Sequence, residues 1–142
     1  QGFFRPRNPE KYIGDVNNIV YRSSWELKFM QWCDRNPNIL NYGSEEIAIK
    51  YFDPVKQRVR RYFPDFIIKV QEQTGEIKKY LVEIKPKKQT VAPKERSRVT
   101  KSYLNEVYTY ATNQAKWKAA EEFCKDNMLG FRIITESDLG IK

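Results

Sequence analysis

The sequence contains no histidine, and this absence limits the chemistry that the chain can carry out. It excludes Ser-His-Asp triads, histidine general bases and His-ligated zinc. Any hydrolysis must then depend on carboxylates, lysines and a hard cation such as Mg²⁺, which prefers oxygen ligands.

Cysteine and long apolar runs are also scarce. The two cysteines, Cys33 and Cys124, lie far apart among apolar neighbours and have no metal-ligand spacing. We expect both to be buried free thiols, with a disulfide as the alternative. No apolar run approaches the roughly 20 residues that cross a bilayer. We therefore expect no membrane partner and a reducing cytoplasm as the setting.

Positive charge is what the sequence has in excess. Its 142 residues include 26 Lys and Arg against 18 Asp and Glu, for a formal net charge of +8. Because clustered basic residues gain free energy by releasing counterions, nucleic acid is the first candidate partner. A basic protein that is merely soluble is the alternative. The length and the 40% hydrophobic content predict a single domain over residues 1–142 with its own core.

The central hairpin signal lies in residues 62–85. Two runs rich in β-branched and aromatic residues, 62–70 and 77–85, flank a polar segment that contains Gly75. Such a pattern is typical of two antiparallel strands. A three-residue loop over 73–75 puts the glycine where positive φ is favoured.

This hairpin brings charged side chains together. With the turn centred on Thr74, Asp65 stands directly opposite Glu83. Lys85 points to the same face because it lies two residues beyond Glu83 on the strand. Two opposed carboxylates destabilise a strand pair unless a cation lies between them. A bulge at Gly75 would shift the register and leave the two acids facing each other only diagonally.

The remaining periodic segments predict helices around these strands. We expect a helix over about 23–35 that begins at a capping box, a strand over 45–52, a helix over 103–127 and a strand over 131–135. This order predicts a mixed α/β (α+β) fold with a four-stranded mixed sheet flanked by helices. Two apolar stripes are expected to face the core: Trp25, Phe29, Trp32 and Cys33 on the first helix, and Leu104, Val107, Tyr108, Ala111, Ala115 and Ala119 on the second.

Two segments lack such periodicity. We expect residues 1–20 to form an irregular basic N-terminal arm, and residues 86–101 to form a basic loop interrupted by prolines. Because the basic loop follows Lys85 directly, we interpret it as a flap that contacts DNA phosphates, with a solvated mobile loop as the alternative. The predicted DNA-binding residues are Lys87, Lys88, Lys94, Arg96, Arg98 and Lys101, together with Arg60 and Arg61 ahead of the hairpin.

Pro64-Asp65 and Glu83-Ile84-Lys85 together match the pattern Pro-Asp…(Asp/Glu)-x-Lys. On these residues and on the order of elements, the chain resembles the PD-(D/E)xK superfamily of nucleases. It resembles, over almost its full length, the members of that superfamily that act in head completion of large tailed phages. The stretches that carry this resemblance are residues 8–12, 21–26, 61–66 and 116–120. A more distant likeness is to the restriction-like endonuclease subunit that cuts transposon ends.

The resemblance implies a restriction-endonuclease-like αβββαβ core and Mg²⁺-dependent hydrolysis of DNA phosphodiesters, with Mn²⁺ able to substitute. It implies that Asp65 and Glu83 bind the metal, joined by the Ile84 carbonyl and by Glu26 of the first helix. Lys85 would orient or help deprotonate the attacking water. The implied partners are double-stranded DNA and phage head or neck proteins. The implied setting is the host cytoplasm during assembly, where packaged DNA ends are trimmed before tail joining.

The site residues also have structural explanations. The capping-box partner Ser23 accounts for Glu26, and Asp65 can be a turn residue after proline. The strand residues Glu83 and Lys85 can lie on a solvated face. Three further residues are predicted as supports of the site: Glu46, Gln114 and Lys118. The alternative function is a non-enzymatic DNA-binding protein that closes the head and keeps the nuclease fold.

Overall fold

A mixed five-stranded sheet forms the centre of the protein in a computed structural model that describes residues 1–44 and 47–141. The elements are β1 (Gly2–Phe3), β2 (Tyr12–Ile13), β3 (Val20–Tyr21), α1 (Ser24–Arg35), β4 (Ile39–Ser44), β5 (Ile49–Asp53), β6 (Arg58–Tyr62), β7 (Phe66–Gln71), β8 (Ile77–Ile84), α2 (Lys101–Asp126) and β9 (Gly130–Ile134). The sheet has the order β2–β4–β7–β8–β9. Its inner pairs β4–β7 and β7–β8 are antiparallel, whereas the outer pairs β2–β4 and β8–β9 are parallel.

The hairpin of β7 and β8 has the predicted register. Phe66 pairs with Val82 and Ile67 with Leu81, which places the turn at Thr74. Gly75 has φ of 89°, and a Cβ added there would meet no atom within 4 Å. The backbone conformation, and not the available space, therefore explains the glycine.

The strand predicted over 45–52 differs from the structure. The strand that pairs with β7 is β4, which ends at Ser44. The next strand, β5, begins at Ile49 and pairs with β6 in a separate two-stranded sheet. The predicted strand is therefore not part of the main sheet, where β4 takes its place. Buried Pro64 lies between β6 and β7, and since proline has no N–H to donate to a ladder, β6 does not continue into the main sheet.

Both faces of the main sheet are covered. On one face, α1 packs on a cluster that includes Phe66, Ile68 and Val82. On the other, Leu81 packs with Trp117 of α2 and with Tyr62 of β6. Each large apolar side chain fully buried in this way contributes roughly 1.5–3 kcal/mol. Because α2 and the β5–β6 hairpin cover this second face, Glu83 is buried, and the alternative of a solvated face does not hold for it.

The first helix matches its predicted bounds. Ser23 is the N-cap, and its Oγ accepts a hydrogen bond of 3.1 Å from the Glu26 N–H. The buried face consists of Phe29, Met30, Cys33 and Asp34. Trp32 is 49% exposed, so its assignment to the core was wrong.

The second helix buries its expected stripe only in part. The fully buried residues of this helix are Asn113, Trp117, Ala120 and Cys124. Ala115 and Ala119 pack against the core as expected, whereas Leu104 and Tyr108 are exposed. The reason is that only the C-terminal part of α2 contacts the core clusters, while its first turns face the basic loop across a cavity. Both cysteines are buried and free, as predicted. No helix within the described residues is long and apolar enough to cross a membrane.

The N-terminal arm is more ordered than the sequence suggested. It supplies the edge strand β2, and β1 pairs with β3. Buried Asp34 at the end of α1 accepts hydrogen bonds from the N–H groups of Arg7 and Asn8 at 2.9 and 3.2 Å. The Lys11 ammonium donates to three carbonyls at the same helix end, which complements the helix dipole. The additional strand β2 makes the sheet five-stranded instead of four-stranded.

Candidate active site

Asp65 and Glu83 lie at the same end of β7 and β8. Asp65 directly precedes β7, and its Oδ2 accepts a hydrogen bond of 2.8 Å from the Ile84 N–H. Burial, followed by the charge of Glu83, raises the pKa of Asp65 from its ordinary 3.8 to about 7. Glu26 adds to this rise, while the Ile84 N–H and the Lys85 charge oppose it. The structure therefore brings the four predicted side chains into one electrostatic environment.

Glu83 is buried and held by two partners. Its Oε1 accepts a hydrogen bond of 2.7 Å from the Tyr62 hydroxyl, and its Oε2 lies 3.3 Å from the Lys85 ammonium. A buried carboxylate requires such partners because desolvation disfavours its charged form. Burial and the Glu83 charge in turn raise the pKa of Tyr62, which keeps the phenol protonated. Tyr62 was not singled out in the sequence.

Glu26 faces the site across a cavity of about 290 Å³ that Asp65, Asp15 and Ser44 also line. Its Oε1 accepts a hydrogen bond of 3.1 Å from the Arg22 N–H, and not from Ser23 as a full capping box requires. The capping box therefore explains the bond from the Glu26 N–H to Ser23, but it does not explain the position of the Glu26 carboxylate. Glu26 is placed where its carboxylate and that of Asp65 open on the same space.

The donor set fits a hard divalent cation. It consists of oxygen ligands alone, namely the carboxylates of Asp65, Glu83 and Glu26 with the Ile84 carbonyl, and Mg²⁺ prefers such ligands. Burial is the largest cause of the raised pKa of Asp65, and the charges of Glu83 and Glu26 add to it; a bound cation would lower this pKa again. Nevertheless, within the described residues no three His, Cys, Asp or Glu side chains form a group that could hold an ion. The expectation of a divalent cation at this site therefore depends on the oxygen chemistry of these ligands and not on a preformed cluster of them.

The predicted DNA-binding residues of the basic loop are all exposed. Arg96 differs from the others because it lies 3.4 Å from Glu106 of α2 and 5.7 Å from the centre of the Tyr103 ring. The basic loop and the first turns of α2 together enclose a cavity of about 460 Å³. Most of the loop cations are thus free to meet a polyanion, whereas Arg96 holds the loop against α2.

Arg60 and Arg61 point in different directions because they are neighbours on a strand. Arg60 forms an ion pair of 3.3 Å with buried Asp53, which links β6 to β5. Arg61 is exposed and lies 5.8 Å from the centre of the Phe63 ring. Of the two, Arg61 is the one available to DNA.

Two of the predicted supports, Gln114 and Lys118, are exposed and line a separate cavity of about 550 Å³. The third, Glu46, lies outside the described residues. Lys116 of α2, which was not predicted, lies near Tyr62, the hydrogen-bond partner of Glu83. The spacing of Trp117 and Ala120 on the buried face would have placed Lys116 at the inner edge of α2.

The fold and the site together define a restriction-endonuclease-like nuclease. Residues 36–136 match the family of TnsA-like endonuclease N-terminal domains, and the chain belongs to this family. The chain is also similar to the head completion nuclease of Enterobacteria phage T4, with 41% identity over 142 aligned residues. The alignment covers 97% of this chain and 92% of the T4 protein. No solved structure matches the chain.

These similarities confirm the expected family and fold and support a nuclease role. The family match includes Asp65, Glu83 and Lys85, whereas Glu26 lies before it. The similarity to the phage nuclease extends over nearly the whole chain, and it therefore includes α1, the helix that carries Glu26. The roles of the individual side chains remain predictions from geometry and chemistry.

Proposed function

We propose that this protein is a divalent-metal-dependent DNA nuclease of the PD-(D/E)xK type that processes the ends of packaged phage DNA during head completion. The observation that carries the proposal is the convergence of Asp65, Glu83 and Lys85 at one end of β7 and β8. The charge of Glu83 raises the pKa of Asp65 in addition to the larger effect of burial, and a cation between the two acids would remove this repulsion.

The acids would hold the metal. Asp65 and Glu83, with the Ile84 carbonyl and Glu26, are the proposed ligands of Mg²⁺ or Mn²⁺. A bound divalent cation would lower the pKa of coordinated water and balance the charge that develops on the phosphate. The Ile84 N–H fixes one oxygen of Asp65 and leaves the other free to face the cavity shared with Glu26.

Lys85 would act on the reacting groups directly. Its ammonium is 3.3 Å from Glu83, which keeps the flexible side chain at the site. A lysine presents a compact charge with rotating N–H donors, so it can donate to the attacking water and to a phosphate oxygen in turn. Tyr62 supports this arrangement indirectly because its hydroxyl holds the other oxygen of Glu83.

The substrate and setting follow from charge and from similarity. The net charge of +8 and the exposed cations of the basic loop favour double-stranded DNA as the polyanion. The similarity to a head completion nuclease suggests head or neck proteins of a phage as further partners, and assembly in the host cytoplasm as the setting. We further propose that residues 1–142 act as one nuclease domain.

A second candidate is a DNA-binding head-closure protein that has kept the nuclease fold without turnover. One observation favours it: within the described part of the chain no three acidic side chains are gathered into a ready metal site. In addition, both oxygens of Glu83 are engaged by Tyr62 and Lys85.

The experiment that separates the two functions compares cleavage with binding. Supercoiled plasmid and linear duplex are incubated with the purified protein in Mg²⁺, in Mn²⁺ and in EDTA, and binding of the same duplex is measured in parallel. The proposal requires cleavage in either metal and none in EDTA. Binding without cleavage in both metals would favour the structural role, and cleavage in EDTA would contradict metal dependence.

A further inference from the structure

Lys116 lies at the active site, although it comes from α2 and not from the strands that carry the acids. Its ammonium is 5.9 Å from the centre of the Tyr51 ring and 5.6 Å from the centre of the Tyr62 ring. Tyr62 is the residue whose hydroxyl holds Glu83. The two rings thus fix a second lysine beside the Glu83–Lys85 pair.

The N–H donors of the Lys116 ammonium have no acceptor within the described residues. Within residues 1–44 and 47–141, its contacts are the two aromatic rings, and its Nζ makes no hydrogen bond or ion pair. An ammonium carries three N–H donors, and ring faces do not satisfy them as an oxygen does. The side chain is partly buried, so solvent reaches it only from one side.

The charges of Lys116 and Lys85 repel each other. Burial, and then the charge of Lys85, lowers the pKa of Lys116, while Glu83 opposes the change. Arg60 adds to the lowering and Asp53 opposes it, and Glu83 makes its direct ion pair with Lys85. The cations around Lys116 favour an additional anion beside it.

Two further donors of α2 lack an acceptor. Asn113 and Trp117, one turn apart, are both 5% exposed, and neither the Asn113 Nδ2 nor the Trp117 Nε1 has a hydrogen-bond partner within the described residues. A buried donor without a partner is costly. This part of α2 therefore carries several donors without acceptors among the described residues, Lys116 included.

We propose that Lys116 and Lys85 form a phosphate-binding subsite that holds a DNA backbone phosphate beside Glu83. This proposal rests on the proposed function, because it places the phosphate of the same DNA substrate. The phosphate oxygens supply the acceptors that Lys116 lacks and relieve its repulsion from Lys85. The Tyr51 and Tyr62 rings hold the lysine stem and aim the ammonium towards the strand ends. In a purely structural alternative, Lys116 only joins α2 to the β5–β6 hairpin through its ring contacts.

The test compares Lys116→Met with Lys125→Met, which removes the same charge from an exposed position on the same helix. The affinity of each protein for a fluorescent duplex is measured in Ca²⁺, at several salt concentrations. We expect Lys116→Met to weaken binding roughly tenfold and to reduce the slope of log Kd against log salt by about one phosphate contact. Lys125→Met should change both quantities by less than about twofold.

The variant Lys116→Arg and the melting temperatures separate a binding role from a structural one. The arginine keeps the charge and can lie over the same rings, so it should retain most of the affinity. Equal affinity of Lys116→Met and wild type would overturn the subsite, as would equal losses in Lys116→Met and Lys125→Met. A lowered melting temperature of Lys116→Met with unchanged affinity would assign Lys116 the structural role alone. If wild type binds DNA without cutting it, the proposed function fails while the affinity comparison still tests the subsite.

Discussion

Tyr62 and Glu83 are joined by a hydrogen bond of 2.7 Å although they belong to different sheets. The phenol comes from the end of β6, and the carboxylate from β8 at the edge of the proposed site. This bond ties the β5–β6 hairpin, and with it α2, to the strand that carries Glu83 and Lys85. The position of Glu83, the proposed metal ligand, therefore depends on a residue that has no place in the sequence motif.

Replacing Tyr62 by Phe tests this dependence. The variant keeps the ring but leaves one oxygen of buried Glu83 without its donor, so we expect a loss of about 2 kcal/mol in the free energy of unfolding. Urea denaturation measures the loss, and Tyr108→Phe, at an exposed position, is the matched control. Cleavage should also fall, because Glu83 is no longer fixed. Stability and cleavage equal to those of wild type would contradict the role given to this bond.

Replacing Lys85 by Met should separate catalysis from binding. In the proposed mechanism the lysine acts on the reacting groups, so the single-turnover cleavage rate at saturating protein should fall at least about 100-fold, well beyond the roughly tenfold loss of affinity expected for either lysine of the phosphate subsite. Lys79→Met, exposed on the same strand, is the control for loss of one charge. If Lys79→Met and Lys85→Met cut at the same rate, Lys85 has no catalytic role.

The raised pKa of Asp65 predicts a pH-dependent stability of the metal-free protein. Because the pKa is about 7 in the folded chain and ordinarily 3.8, the folded state binds the proton more tightly. The stability that the folded state gains by binding the Asp65 proton more tightly is complete below about pH 4, and it is lost as the pH rises through 7. We expect the free energy of unfolding in EDTA to be on the order of 2 kcal/mol lower at pH 8 than at pH 5.

Asp65→Asn should remove most of this pH dependence, whereas Glu76→Gln, in the exposed hairpin loop, should leave it intact. Mg²⁺ added at pH 8 should stabilise wild type and not Asp65→Asn, since a ligand that binds the folded state raises its stability. If the free energy of unfolding of wild type and of Asp65→Asn fell in parallel between pH 5 and pH 8, the pH dependence would not come from Asp65.

Neutralising the basic loop should weaken DNA binding and its salt dependence together. Changing Lys87, Lys88 and Arg98 to Gln should reduce the slope of log Kd against log salt by up to about three units, or roughly 0.9 for each lost phosphate contact. Arg96 is left unchanged because it pairs with Glu106. A triple change of Lys28, Lys78 and Lys125, which are exposed elsewhere, controls for net charge. An unchanged slope in the loop variant would exclude the loop from the DNA interface.

The parts of the fold that the sequence predicted are local. The register of β7 and β8 depends on the turn at Gly75 and on alternating residues within one hairpin, and it was predicted correctly. Capping at Ser23 depends on neighbours in sequence, and it too was predicted. Such signals need no knowledge of distant segments.

The parts that were missed depend on contacts between distant segments. Tyr62 and Lys116 acquire their places only when β6 and α2 pack over Glu83. Arg7 and Lys11 gain partners at the far end of α1, which no local pattern indicates. Leu104 and Tyr108 of the α2 stripe were misassigned because only the C-terminal part of this helix packs on the core.

The central claim is that Asp65 and Glu83 act together in metal-dependent cleavage. It is tested most directly by the initial rate of duplex cleavage at saturating Mg²⁺, for wild type beside Asp65→Asn, Glu83→Gln and the control Glu76→Gln. The account predicts that each site variant loses at least about 100-fold in rate, while Glu76→Gln cuts like wild type. Cleavage by Asp65→Asn within about threefold of wild type would contradict it.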